Sequence, residues 1–253
     1  MIGLVTVALA GVLSAHAQMG PHGGMGGPGR GPSLGGDVAK LFGNNKSFSA
    51  TLEMQSGEAG GQTMTVTGKE YFDEGKTRFE TDMSSMKGAS MPPEHLAQIK
   101  SMGMDKVVTI TLPEKNTHYM IYPGLQSYVE MTPPGHETNQ PEAKVDLTEL
   151  GKETVQGHPC IKNKAVVTDE DGQTHEFTIW NATDLNKFPV KIDGTENGRT
   201  MTLTFKDVQL SKPDAALFAP PSDYKKYDSV MTLMMQRAMG GHGGMMGPPP
   251  GHE

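Results

Sequence analysis

The stretch that decides the fold spans residues 160–210 and reads CIKNKAVVTDEDGQTHEFTIWNATDLNKFPVKIDGTENGRTMTLTFKDVQL. Asp171-Gly172 and Asn197-Gly198 interrupt it, and such pairs are typical of tight β-hairpin turns because they tolerate positive φ. We predict four successive strands between these and neighbouring turn signals, at residues 161–168, 175–180, 189–192 and 199–210. In the last strand Met201, Leu203 and Phe205 alternate with polar residues, which predicts an antiparallel sheet with one apolar face.

The rest of the chain supplies further strands and the helices that cover this face. Alternating apolar residues begin at about Phe48 and return between residues 107 and 131. We predict three helices: residues 38–42 behind an Asp37 cap, a helix from Pro93 to about Gly103, and a last helix capped by Ser222. Tyr224, Tyr227, Met231, Met234 and Ala238 would form the apolar stripe of the last helix. The prediction is an α+β fold with a single curved antiparallel sheet and its helices on one face.

The two ends of the chain have a different composition from this domain. Residues 1–17 are mostly apolar and finish with Ala15-His16-Ala17, a small-x-small pattern that predicts a cleaved signal peptide and a periplasmic or secreted protein. Residues 18–36 and 240–253 are rich in Gly, Met, His and Pro and predict disordered tails. The folded domain is therefore predicted at residues 37–239.

Charge and motif content exclude several function classes. The formal net charge of -7 argues against nucleic-acid binding, since that needs a basic surface. The single cysteine, Cys160, leaves no partner for an internal disulfide. Gly-x-Ser-x-Gly, His-Glu-x-x-His, Walker and Cys-x-x-Cys motifs are absent from the sequence. We therefore expect no enzyme activity and no cofactor.

Two segments give the chain a family resemblance. Residues 151–160 (GKETVQGHPC) and 217–224 (LFAPPSDY), together with the strands around Trp180 and Pro189, resemble exported proteins of the lipoprotein-carrier (LolA/LolB-like) fold. They are most similar to an allied group of bacterial exported domains of unknown function. The resemblance covers about residues 48–224. It implies a half-open barrel with helices on the concave face, which holds a lipid, an acyl chain or another apolar ligand, and it allows for peripheral association with the envelope.

The inward residues of such a sheet are the candidates for the ligand cavity, and the same residues could equally form a filled core. The candidates share an apolar side chain on a predicted strand: Phe48, Leu52, Val66, Phe79, Ile110, Ile121, Phe177, Ile179, Leu203 and Phe205.

The methionine content favours a second hypothesis for the function, which is metal binding. The chain has 19 Met, and several stand in the tails beside His, where thioether and imidazole groups suit soft ions such as Cu(I) or Ag(I). The candidate ligands of this alternative, a Met/His-rich periplasmic metal-binding protein, are Met19, His22, Met25, His242, Met245 and Met246. A purely structural role in the envelope is the third alternative.

Overall fold

A computed structural model describes residues 37–58, 61, 63–88, 93–132, 144–168, 172, 174–196 and 199–240. The predicted signal segment, both predicted tails apart from Gly240, and the six Met and His candidates for a metal site lie outside these residues. Within them, no helix is long and apolar enough to cross a membrane.

Among the described residues, twelve strands form one sheet, and three α-helices accompany it. Their bounds are β1 Ser47–Glu58, β2 Thr63–Asp73, β3 Lys76–Asp82, β4 Lys106–Leu112, β5 Thr117–Tyr122, β6 Ser127–Met131, β7 Lys144–Val155, β8 His158–Thr168, β9 Thr174–Ala182, β10 Phe188–Glu196, β11 Arg199–Gln209 and β12 Lys225–Tyr227. The helices are α1 Asp37–Lys40, α2 Pro93–Ser101 and α3 Val230–Gly240.

The sheet consists of two antiparallel meanders joined side by side. The order across it is β12-β6-β5-β4-β3-β2-β1-β11-β10-β9-β8-β7, so the pairing of β1 with β11 connects the two halves of the chain. β7 and β12 are the two edges and do not pair with each other, which leaves the sheet open. The predicted fold class, α+β with a single curved antiparallel sheet that forms a half-open barrel with helices on its concave face, is confirmed.

Strand register separates the side chains into two faces, because directly opposed residues in an antiparallel pair share a face. Phe48 is opposite Phe72, and Leu52 is opposite Phe205. The rings of Phe48 and Phe188 come within 4.8 Å although β1 and β10 are separated by β11. Strands two positions apart are about 9.6 Å apart, so these side chains converge. We call this side the inner face, and the other side the outer face.

The last helix differs from its prediction. It begins at Val230 and not after Ser222, and Ser229 caps it, since the Ser229 hydroxyl accepts a 3.0 Å bond from the Thr232 amide. The preceding residues form β12, a parallel partner of β6, because the Lys225 amide donates to the Gln126 carbonyl at 2.9 Å.

The buried side of α3 is also not the predicted stripe. Leu233 is buried, with 1% exposed, while Met231 and Met234 of the stripe are 72% and 42% exposed. Leu233 packs with Met120, Val129 and Tyr227, which belong to β5, β6 and β12.

Candidate ligand-binding face

Five phenylalanine rings meet on the inner face. The ring of Phe42, just after α1, lies 4.7 Å from Phe48, 5.6 Å from Phe72, and 5.5 Å from both Phe188 and Phe205. All five side chains are buried. Such ring pairs contribute about 0.5–1.5 kcal/mol each beyond their buried area. This aromatic cluster therefore stabilises the inner face, and Phe42 is at its centre.

The α1 segment, which we define as residues 37–43, lies on this face without joining the sheet. The amides of Leu41, Phe42 and Gly43 each donate to a carbonyl three residues earlier, so their backbone bonds are local. Gly43 has a φ of 56°, a left-handed conformation that glycine adopts without strain. Two bonds between Asn45 and Asn186 then fix the chain, at 3.2 Å to the Asn186 carbonyl and 3.0 Å from its amide. The segment thus ends at Gly43, two residues before Asn45, whose position is fixed by hydrogen bonds to Asn186. Side-chain packing holds the segment itself on the inner face.

Glu70 of β2 is a buried carboxyl group on the same face. It is opposite Ala50 on one side and Phe79 on the other, and it is 1% exposed. Neither of its oxygens has a hydrogen-bond partner among the residues that the structure describes. Burial raises the pKa of Glu70 well above its usual range, because the charged form loses its hydration.

Glu70 was not predicted as a site residue, although the alternation of residues along its strand indicates that it faces inward. Gly68, Glu70 and Phe72 alternate along one strand, so an inward Phe72 places Glu70 inward as well. A charged residue at an inward position of a strand is uncommon and marks a position for closer attention.

The structure divides the ten cavity candidates between the two faces. Eight belong to the inner-face cluster: Phe48, Leu52, Val66, Phe79, Phe177, Ile179, Leu203 and Phe205. Ile110 and Ile121 pack instead against Phe218 on the outer face, so their expected place on the concave face is wrong. The reason is register: Phe79 is opposite Thr109, which puts Thr109 on the inner face and Ile110 on the other.

The inner face is filled in this conformation. Seven of its eight candidates are buried, and Phe177 is half-buried. Two surface depressions of about 410 and 300 Å³ occur elsewhere. The larger is lined by residues that include His158, Leu185 and Lys206, and the smaller by residues that include Lys76 and Phe218. Neither is lined by any of the ten candidates.

Trp180 of the second meander belongs to the same buried cluster as the inner-face residues, and charged side chains contact its indole. The Nζ atoms of Lys191 and Lys162 lie 4.2 and 5.0 Å from the indole centroid. The indole N–H donates to the Glu153 carboxylate, and this bond lowers the pKa of Glu153. The two lysines and Glu153 thus all contact Trp180, and these contacts stabilise the fold.

Reactive and metal-binding chemistry finds little support in the described part of the chain. Cys160 is buried, and burial raises the pKa of its thiol, which opposes thiolate formation. His158 is 2.8 Å from Asp184, and this contact lowers the pKa of Asp184. No group of three His, Cys, Asp or Glu residues that could hold a metal ion occurs in the described ranges.

The chain is similar to several solved structures, each at low sequence identity and with a TM-score below 0.5. A LolA superfamily protein from Nitrosomonas europaea matches with a TM-score of 0.37 and 7% identity, over 72% of this chain and 94% of that one. LprF from Mycobacterium bovis matches with a TM-score of 0.39 and 12% identity, over 74% and 94%. An outer-membrane lipoprotein-sorting protein domain from Vibrio parahaemolyticus matches with a TM-score of 0.30 and 11% identity, over 68% and 88%.

Two of these titles, the LolA superfamily protein and the lipoprotein-sorting domain, name the kind of protein that the sequence resembles. At such TM-scores the likeness carries no argument about ligand or mechanism. No known family model and no curated protein matches the sequence.

Proposed function

We propose that this domain is an exported binding protein that holds the alkyl body of a lipid, an acyl chain or another apolar ligand on its inner face. The observation that carries the proposal is the position of Phe42. This ring fills the centre of an aromatic face, yet it belongs to a short segment that is held by packing and ends at Gly43. The α1 segment therefore occupies the place that a ligand would take when the segment moves aside.

The energies of this exchange are of the right size. The α1 segment buries the side chains of Val38, Leu41 and Phe42. Exposing three such side chains costs about 6 kcal/mol, at about 2 kcal/mol each. An alkyl chain of about 12 methylenes gains about 10 kcal/mol by burial, at about 0.8 kcal/mol per methylene. Burial of a long alkyl chain thus exceeds the cost of exposing the segment by about 4 kcal/mol.

The cellular part of the proposal rests on the sequence. The predicted signal peptide at residues 1–17 would direct the protein to the periplasm or outside the cell. A peripheral association with the envelope is compatible with a carrier of apolar ligands, which must collect its cargo at a membrane.

Substitution of Phe42 tests the proposal. We expect wild-type protein to bind N-phenyl-1-naphthylamine, a neutral apolar probe whose fluorescence rises in an apolar site. Phe42→Ala should bind it about tenfold more tightly, because the substitution removes part of the cost of moving the segment and leaves space among the remaining rings. Titration of the probe fluorescence measures both affinities.

Phe218→Ala is the matched control, since Phe218 is a buried phenylalanine on the outer face. Both substitutions should destabilise the fold by about 3–5 kcal/mol, so urea unfolding checks that the two variants are comparable. Equal tightening in both variants would mean that the probe merely reports loosened packing. Absence of binding to the wild type and to Phe42→Ala would refute the proposed function.

A further inference from the structure

We infer that Glu70 contacts the ligand and selects a head group that offers both a carbonyl oxygen and an O–H group, as a long-chain carboxylic acid does. This inference rests on the proposed function and adds the ligand class to it. Three observations support it: the unmet bonding capacity of Glu70, its position, and the uncharged surroundings.

The first observation is that the carboxyl oxygens of Glu70 lack hydrogen-bond partners in the described part of the chain. Buried polar groups in folded proteins almost always have hydrogen-bond partners, and an exception calls for a specific explanation. Both oxygens of Glu70 lack a partner within the described part of the chain, although the side chain is only 1% exposed. Departures of this kind from stable packing concentrate at functional sites. A ligand that fills the inner face would supply the missing partners.

The position of Glu70 places these oxygens beside the ligand path. Glu70 is two residues from Phe72 on β2, and its opposite residue Ala50 is two residues from Phe48 on β1. Two residues span about 6.6 Å along a strand. Phe48 and Phe72 both touch the Phe42 ring. The carboxyl group therefore lies one row of side chains from the place that the α1 segment would vacate.

The neighbours of Glu70 on its own face determine which head group fits. Gly68 and Phe72 flank it along β2, and Ala50 and Phe79 are opposite it; none of the four carries a charge. Without a cation, a carboxyl group in this setting is most stable as the neutral acid. A neutral acid donates one hydrogen bond and accepts another.

A ligand carboxylic acid satisfies both bonds at once. Its carbonyl oxygen accepts from the Glu70 O–H, and its own O–H donates to the Glu70 carbonyl oxygen. An ester offers an acceptor but no donor, so one Glu70 oxygen would remain unpaired. An ammonium head would bring a full charge into an apolar site. The geometry thus favours the protonated acid over the ester.

The test compares cis-parinaric acid with its methyl ester, two fluorescent probes with the same alkyl body. Titrations at about pH 4 keep more than half of the free acid protonated, since an unperturbed carboxyl group has a pKa of about 4.3. We expect wild-type protein to bind the acid about tenfold more tightly than the ester, since a satisfied buried donor and acceptor are worth about this factor. Glu70→Leu should lose the preference and bind both probes equally. Glu70→Gln should keep it, because a carboxamide also offers an N–H donor beside a carbonyl acceptor.

Glu58→Leu is the control, since Glu58 is on the same sheet but is exposed. Loss of the preference in Glu58→Leu, or its retention in Glu70→Leu, would overturn the inference. Wild-type protein that binds N-phenyl-1-naphthylamine and both parinaric probes without preference would also overturn it while leaving the proposed function intact. Wild-type protein that binds none of the three would refute both.

Folding of the variants is checked by thermal unfolding at the same pH. Leucine in place of an unpaired buried carboxyl group should not lower the melting temperature. A selective loss of acid binding in a variant that melts no lower than wild type therefore cannot be ascribed to unfolding.

Discussion

Glu70 should make the stability of this protein fall as the pH rises, and Glu70→Gln should remove that dependence. Burial raises the pKa of Glu70 in the folded state above its ordinary value of 4.5. Below the unfolded-state pKa, both states hold the proton and the pH has no effect through this group. Between the two pKa values the folded state holds a proton that the unfolded state has released, so each pH unit costs about 1.4 kcal/mol of unfolding free energy.

The measurement is the unfolding free energy of wild type and Glu70→Gln from urea titrations at about pH 5, 6 and 7. Carboxylates with lowered pKa values, such as Asp82, which accepts from Ser84, act in the opposite direction and lose their contribution in acid. They are present in both proteins, so the difference between the two isolates Glu70. We expect the free energy of wild type to fall relative to Glu70→Gln by about 1.4 kcal/mol per pH unit within the window. A difference that stays constant from pH 5 to 7 would refute a buried, unpartnered carboxyl group at this position.

Two further predictions concern the second meander. Lys191→Ala should shift the fluorescence emission of Trp180, the single tryptophan, to longer wavelength, because Lys191 lies 4.2 Å from the indole centroid and Trp180 is only 6% exposed with this lysine in place. An unchanged spectrum would show that the lysine does not shield the ring. Cys160, the single cysteine, should react with a thiol reagent at the rate of unfolding, since it is 3% exposed and burial raises the pKa of its thiol. Rapid labelling of the native protein would contradict this.

Four of the five strands in the second meander were predictable from sequence because local signals agree there. Turn residues separate runs with a clear period of two, and the predicted strands correspond to β8, β9, β10 and β11. The middle helix was predictable for the same reason, with Pro93 at its start and Gly103 after its end.

Edge strands could not be recognised in this way. β7 has twelve residues but is largely exposed, so its sequence lacks the apolar alternation of a half-buried strand. β12 has three residues, and its pairing with β6 depends on a contact between distant parts of the chain. The stripe predicted for α3 fitted a helical period, but the chain places only its last part in a helix.

Prediction of the site residues from the sequence was limited because the sequence does not show which face of the sheet a residue occupies. β4 carries Val107 and Thr109 on the inner face and Val108, Ile110 and Leu112 on the outer face, so both of its faces carry apolar residues. Periodicity cannot tell such faces apart, because register with neighbouring strands decides the matter. Ile110 and Ile121 were misplaced for this reason.

The filled inner face also has a consequence for selectivity under the proposed function. Displacing the packed side chains of the α1 segment costs about 6 kcal/mol. This cost lowers the association constant by roughly four powers of ten relative to the same site held open. Each methylene of a ligand recovers about 0.8 kcal/mol, so about eight methylenes are needed before the alkyl chain alone offsets the opening. Short chains therefore cannot displace the α1 segment, while longer chains can. Under the proposed function, Phe42 would set this length threshold through packing and Glu70 would select the head group through hydrogen bonding. Different residues on one face would then determine chain length and head chemistry.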